Sequence, residues 1–423
     1  MLEELFIVDK SSYLTGNVTI SGSKNASLPV LAATILAEGA YEIDNVPDLL
    51  DVQNILYLLN DLGCSSKRIG HKVVIESNYS ENYVASYELV RKMRASILVL
   101  APLLAKRRRA KVSLPGGCAI GERPIDQHIK ALKMMGANID IKHGYIVAEC
   151  KRLKGTDVFL DVSTVTGTEN IIMAAVLAKG KTVIQNAAQE PEVIDLCGFL
   201  KKMGANISGE GSKIIEIIGV DSLSPTNYNI TYDRIEAGTF ICIVGAASGE
   251  IIIKKTPINY MKIVLEKLAE TGISIDIIDS ETIRVKSEKR LRAVDITTQP
   301  YPGFPTDLQA PFMGLMIASE GISVITEDIF ENRFMHIAEF KRMGANIILR
   351  NRSAIIRPSR KLTGTDVNAT DLRAGAGLVV AALQAEGQSR IHNIAYIDRG
   401  YEYFERKLQN IGVNIKRIRK EIK

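Results

Sequence analysis

Met135-Gly136-Ala137-Asn138-Ile139 recurs as Met203-Gly204-Ala205-Asn206-Ile207 and again as Met343-Gly344-Ala345-Asn346-Ile347. Weaker copies stand at Leu62-Gly63-Cys64, Thr271-Gly272-Ile273 and Ile411-Gly412-Val413. The six glycines are 68 to 73 residues apart, and a near-constant period marks an internal repeat. A second marker runs in phase: Leu36-Ala37-Glu38-Gly39, Leu177-Ala178-Lys179-Gly180, Ala247-Ser248-Gly249, Ala318-Ser319-Glu320-Gly321 and Gln384-Ala385-Glu386-Gly387, with Leu104-Ala105-Lys106-Arg107 in the second unit. Each closes an apolar helical stretch. A short strand pattern follows, such as Tyr41-Glu42-Ile43, and then a second helix. Val52, Ile55, Leu56, Leu59 and Leu62 have the spacing of one helical face. That helix stops at the repeated Gly, which suits a left-handed C-terminal cap. Paired strands come next, as in Lys72–Glu76 and Lys213–Glu216.

One unit therefore reads as helix, strand, helix, strand, strand. Such a unit cannot bury both helices alone, so several must share a core. No GxGxxG follows a strand, so this is an α/β repeat fold and not a Rossmann fold.

The 423 residues are 46% hydrophobic, 24% charged and 6% aromatic, without Trp. That composition belongs to a globular chain with a large core. At about 150 residues per domain, length alone gives roughly three domains. No apolar run is long enough to span a membrane, and the start, Met1-Leu2-Glu3-Glu4, has no signal-peptide pattern. A cytoplasmic protein is expected. The net charge of +5 is too small to argue for nucleic acid, but it suits an anionic small substrate. The run Lys106-Arg107-Arg108-Arg109-Ala110-Lys111 has no interleaved aromatics and reads as a solvated loop. Five cysteines without a CxxC pair, and five histidines without an i,i+4 pair, support neither disulfides nor a metal site.

Two positions recur in every unit. The first is the start of the first helix, at Lys24, Arg94, Thr166, Arg234, Asp307 and Arg373. Free N–H groups and the positive dipole end attract anions there, and added cations bind them more tightly. Asp233, Asp307 and Asp371 also suit N-capping. The second is the turn after the middle strand: Pro115 to Pro124 in unit two, Ile329 to Arg333 in unit five and Ile397 to Gly400 in unit six. The Gly-rich turn of unit two reads as a mobile lid. Its Cys118, with Arg123 five residues on, is expected to be a reactive thiol. Cys64, Cys197 and Cys242 read as core, and Cys150 ends a strand.

The words Gly22-Ser23-Lys24-Asn25-Ala26, Met93-Arg94-Ala95-Ser96, Pro115 to Pro124, Phe304-Pro305-Thr306-Asp307, Phe330 to His336, Thr370 to Ala374 and Ile397 to Glu402 resemble those of the UDP-N-acetylglucosamine 1-carboxyvinyltransferases. These enolpyruvyl transferases start peptidoglycan synthesis. The resemblance covers essentially the whole chain, and the Pro-Gly-Gly-Cys loop separates it from the shikimate-pathway relative. It implies two inside-out α/β barrels, each of three βαβαββ-type repeats. One domain spans 21–231. The other joins 1–20 to 232–423, and the substrates lie in the cleft between them.

The resemblance also implies roles. Lys24, Asn25, Arg123 and Arg399 match the residues that hold phosphoenolpyruvate. Cys118 matches the acid that protonates its methylene carbon and the site of a covalent phospholactoyl adduct, and covalent inactivation by fosfomycin is expected there. Asp307 matches the general base at the sugar 3-hydroxyl. Arg94, Arg123, Pro124, Ile125, Asp126, Gln127, Ser163, Thr164, Val165, Asp307 and Ile329 match nucleotide-sugar contacts. Arg333, Asp371 and Arg373 match supporting residues of the cleft. The family often has Lys where this chain has Val162 and Gly where it has Thr166. The implied partners are phosphoenolpyruvate and UDP-N-acetylglucosamine, with no metal or organic cofactor, no nucleic acid and no membrane. Oligomeric state is not legible. Two other readings stand beside this one: an acceptor such as shikimate 3-phosphate, and a non-enzymatic copy kept for binding or regulation.

Overall fold

The computed structural model describes residues 2–91, 93–114, 125–288, 291–359 and 361–421. Its strands form six four-stranded sheets, one per repeat. The third repeat shows the plan. Strand Asp157–Phe159 runs parallel to Lys181–Gln185, which pairs antiparallel with Ile214–Ile218, which in turn pairs with Asn206–Ser208. Helix Val165–Ala175 joins the two parallel strands, and helix Pro191–Lys202 leads into the hairpin. A short leading strand thus precedes each first helix. It has only two or three residues in five of the six repeats, too few for an alternation to register in sequence.

The two helices of a repeat differ in kind. Val165–Ala175, Arg234–Ala247, Gln309–Met316 and Leu372–Ala382 are buried over nearly their whole length. Lys24–Ala33 is too, and in repeat two a 3-10 turn, Arg94–Val99, runs into helix Leu100–Arg107. These are inner helices, buried on nearly every face and apolar apart from a few residues near their starts, such as Glu169, Asn170, Glu236 and Arg373. Outer helices bury one stripe: Leu50–Asp61 buries Val52, Ile55, Leu56, Leu58 and Leu59 and turns Tyr57 outward. No helix among the described residues is long and apolar enough to cross a membrane.

The described chain divides into two compact units, residues 2–21 with 232–421 and residues 22–114 with 125–231. Each has its own apolar core. Strand Leu2–Asp9 pairs antiparallel with both Gln388–His392 and Ile415–Glu421, the place another repeat gives to its own last strand. Leu14–Thr19 then supplies the leading strand of repeat four, parallel to Gly249–Lys254. Tyr228–Asn229, at the end of repeat three, supplies the leading strand of repeat one. Ser21 is tied firmly into the first unit. Its N–H donates to Glu236 at 2.7 Å, and its hydroxyl donates to Glu402 and accepts from Lys407.

The six repeated glycines all end an outer helix with φ between +92° and +103°. The second marker's glycine is equally left-handed at Gly39, Gly180, Gly249, Gly321 and Gly387, and Arg108 takes the same conformation, at φ +63°, in repeat two. The basic run there is not a solvated loop. It is a helix end followed by strand Arg109–Ser113. Arg107 donates to the carbonyls of Leu62 and Asn82, while Arg109 and Lys111 lie over the rings of Tyr83 and Tyr145. The aromatics absent from the run itself come from neighbouring segments.

At Gly204 a Cβ would meet nothing within 4 Å, so only backbone strain opposes a side chain. Gly204→Ala is expected to cost about 1–2 kcal/mol in denaturant unfolding. An unchanged or raised stability would contradict the capping role.

Candidate active site

The inner-helix starts of the first unit converge on one group of charges. Asp233 and Asp371 are N-caps, accepting from Ile235 and Glu236 N–H and from Arg373 and Ala374 N–H respectively. Asp307 is not a cap, contrary to the sequence expectation. It lies inside the 3-10 turn Thr306–Leu308, whose start carries no side-chain cap. Its carboxylate is instead gripped by two guanidinium groups. Arg333 Nη2 donates to Oδ1 at 2.8 Å, and Arg373 Nη2 and Nε donate to Oδ2 at 3.2 and 3.3 Å.

Arg373 is 1% exposed and Arg333 4%. Two nearly dehydrated arginines would be costly without an anion, so Asp307 is a structural requirement as well as a candidate base. Arg373 lies 5.1 Å over the ring of Tyr401, whose hydroxyl meets Thr239 at 2.9 Å. Arg333 also donates to Thr306 at 2.9 Å, and Thr306 donates to Glu327. Glu327 accepts from the N–H groups of Ile329 and Phe330, which fixes the turn after the middle strand. His336, buried beneath, has its pKa pushed down to about 4, chiefly by burial, with Asp371 opposing and Arg333 assisting. Arg399 is half-buried at the end of the 3-10 turn Ile394–Arg399.

The second unit presents its own helix starts. Lys24 opens its helix behind the N-cap Ser23 and is 8% exposed. Its Nζ lies 2.8 Å from Asp51 Oδ2, in the first turn of the next outer helix. Gly22 lets the chain approach there, because a Cβ would sit 1.7 Å from the Asn45 carbonyl oxygen. Asn25 is half-buried beside Lys24. Arg94 opens the 3-10 turn of repeat two and lies near enough to His128 to help burial push that imidazole down to about 4. His128 Nδ1 meets Asn170 Nδ2 at 2.9 Å, and its Nε2 meets Thr166 at 3.4 Å.

Asp126 and Gln127 begin helix Asp126–Met134, after Ile125 at its N-cap position. Gln127 accepts from Asp161 N–H at 3.0 Å and donates to both Asp126 and Asp161. Thr164 caps the third inner helix, flanked by half-buried Ser163 and Val165, and Val162 is exposed. Cys118, Arg123 and Pro124, and the lid reading of 115–124, lie outside the described residues. The other four cysteines are free. Burial raises the thiol pKa of Cys64, Cys242 and Cys197, the last to about 12, so these are inert core groups.

A protein-family model described as EPSP synthase (3-phosphoshikimate 1-carboxyvinyltransferase) matches residues 8–408. The chain is 49% identical over 416 residues to UDP-N-acetylglucosamine 1-carboxyvinyltransferase 2 of Carboxydothermus hydrogenoformans, covering 98% of this chain and 99% of that one. It is 51% identical over 407 residues to UDP-N-acetylglucosamine 1-carboxyvinyltransferase of Desulforapulum autotrophicum, covering 96% and 97%. Among solved structures, the enolpyruvyl transferase NikO from Streptomyces tendae matches with a TM-score of 0.89 at 22% identity, covering 99% of this chain and all of that one. EPSP synthase from Acinetobacter baumannii matches at 0.77 and 19%, covering 98% of this chain and all of that one. At those identities the two structures speak for the fold alone.

Sequence reading did not single out Asp51 or the acids Glu169, Glu190 and Glu192. The signal for Glu169 was available, as the one ionisable residue of an inner helix whose remaining length is uncharged. It is 2% exposed, and its pKa is raised well above the usual carboxyl range, first by burial and then by Glu192 and Glu190. A carboxyl raised in the folded state contributes stability at low pH that is lost as pH rises past its unfolded value. Glu169→Gln is therefore expected to be more stable than the parent at pH 7.5, with the gap closing towards pH 4 in urea titrations. A gap that widened on acidification would contradict the assignment.

Proposed function

The chain belongs to the UDP-N-acetylglucosamine 1-carboxyvinyltransferase family, and we propose that it moves the enolpyruvyl group of phosphoenolpyruvate to the 3-hydroxyl of UDP-N-acetylglucosamine, releasing phosphate. It is an enzyme of the enolpyruvyl transferase class. The observation that carries the substrate reading is identity near one half over almost the full length of proteins bearing that name. A shikimate-type acceptor has behind it the family-model match and a solved structure at 19% identity, which speaks for the fold alone. The reaction would take place in the cytoplasm.

The chemistry asks for a proton at C3 of phosphoenolpyruvate, attack of the sugar oxygen at C2, and loss of phosphate. Protonation at C3 leaves positive character at C2, next to a carboxylate and a phosphate. Lys24, Arg123 and Arg399, with Asn25, would hold those anions. Cations already fixed by folding stabilise such charge without reorganising. The Lys24–Asp51 pair supports this, since Asp51 holds the nearly buried Lys24 side chain in place. Cys118 would deliver the proton to C3. Asp307 would take the proton of the 3-hydroxyl as it attacks. Arg333 and Arg373 hold its carboxylate oriented, and Asp371, as the cap of the helix that carries Arg373, steadies the grip. Arg94, Ile125, Asp126, Gln127, the Ser163–Val165 segment and Ile329 would contact the nucleotide sugar, with Arg123 and Pro124.

Two outcomes are expected. Phosphate release from phosphoenolpyruvate should require UDP-N-acetylglucosamine, and release without it, or with shikimate 3-phosphate in its place, would overturn the acceptor. Fosfomycin should add its mass to the protein once, at Cys118. An adduct that persisted in Cys118→Ala would remove that cysteine from the site.

A further inference from the structure

The guanidinium of Arg417, on strand Ile415–Glu421, meets three carboxylates from three different elements. It forks onto Asp398, with Nη2 to Oδ1 at 2.6 Å and Nη1 to Oδ2 at 2.9 Å. Its Nε and Nη2 reach Glu405 Oε1 and Oε2 at 3.0 and 3.3 Å. Its Nη1 also reaches Glu4 Oε2 at 2.9 Å, on the strand contributed by the chain's beginning. All five N–H donors of an arginine are thereby used. The group also lies 5.0 Å over the ring of Phe6.

So saturated a site would not form on a freely solvated surface, where a single ion pair contributes little. Its geometry is that of a clamp. The piece clamped is the turn Ile394–Arg399, because Asp398 precedes Arg399 directly. The far side of that turn is equally tight. A Cβ on Gly400 would come within 2.3 Å of Leu372, and one on Gly375 within 2.6 Å of Ile397. The turn is thus wedged between Arg417 and the start of the inner helix that carries Arg373.

We propose that Arg417 is a positioning residue for the transfer reaction. Through the fork on Asp398 it sets the backbone from which Arg399 reaches phosphoenolpyruvate. The inference rests on the reading of Arg399 as a phosphoenolpyruvate-binding cation. Lysine at 417 would keep the charge but replace the planar fork with a point ammonium. The turn would then relax, and the anion-binding cation would lose its fixed place.

Steady-state kinetics of Arg417→Lys, Arg399→Ala and the double variant test this, with folding checked by circular dichroism and thermal melting. Arg417→Lys is expected to lower kcat/KM for phosphoenolpyruvate about tenfold, while KM for UDP-N-acetylglucosamine moves less than about twofold. In the Arg399→Ala background the same change should cost nothing further, since residues acting through one another are non-additive. Parallel loss for both substrates, or a full additive loss in the double variant, would overturn the proposal and leave Arg399's role standing. An Arg399→Ala enzyme with unchanged kinetics for phosphoenolpyruvate would instead overturn the reading of Arg399 and this inference with it. Should Arg417→Lys not fold, Asp398→Asn removes the same fork from the other side, and the same outcomes apply.

Discussion

A helix that is apolar on every face has to be covered on every face. One helix of each repeat comes close to this beyond its first turns, and three of them together still need the sheets and outer helices around them. That demand places the inner helices at the centre of each unit and the six sheets outside. The repeats share one direction of chain, so inner helices within a unit share a polarity. Their starts collect at one end, where N–H groups lack helical partners and polar side chains are tolerated. Arg373 shows this convergence directly. It opens the third inner helix of its unit, bonds to Asp307 at the start of the second, and feels Asp233 at the start of the first.

The charges gathered at those starts are mostly paired within the protein. Asp307 sits between Arg333 and Arg373, and Lys24 sits on Asp51. Each pair gives up hydration, and its mutual attraction in part offsets that loss. What the pairs provide is a set of charges whose places are fixed before any substrate arrives. For a reaction that passes a positive centre between two anionic groups, prior placement lets those charges act without reorganising at the moment of reaction.

The six-fold division was legible because a left-handed helix end needs glycine, and the need recurs with every unit. The inner-helix starts were legible by counting from those markers. The leading strands were not, because two or three residues such as Tyr228–Asn229 carry no usable alternation. Nor was the way strand Leu2–Asp9 completes the sixth sheet, since its partners lie about the full chain length away. Asp307 looked like a cap because Asp at a helix start usually is one. The two arginines that claim it come from 26 and 66 residues further on, beyond any local pattern. The same distance hid Asp51 from Lys24 and Glu4 from Arg417.

The proposed reaction is enolpyruvyl transfer to the sugar 3-hydroxyl by protonation at C3 followed by elimination. The most direct measurement is nuclear magnetic resonance of the product formed in deuterated water from phosphoenolpyruvate and UDP-N-acetylglucosamine. The expected product is a 3-O-carboxyvinyl ether of the nucleotide sugar, with deuterium in its vinyl methylene and free phosphate alongside. Intact UDP-N-acetylglucosamine with folded enzyme present, or a vinyl ether on any other hydroxyl, would contradict it.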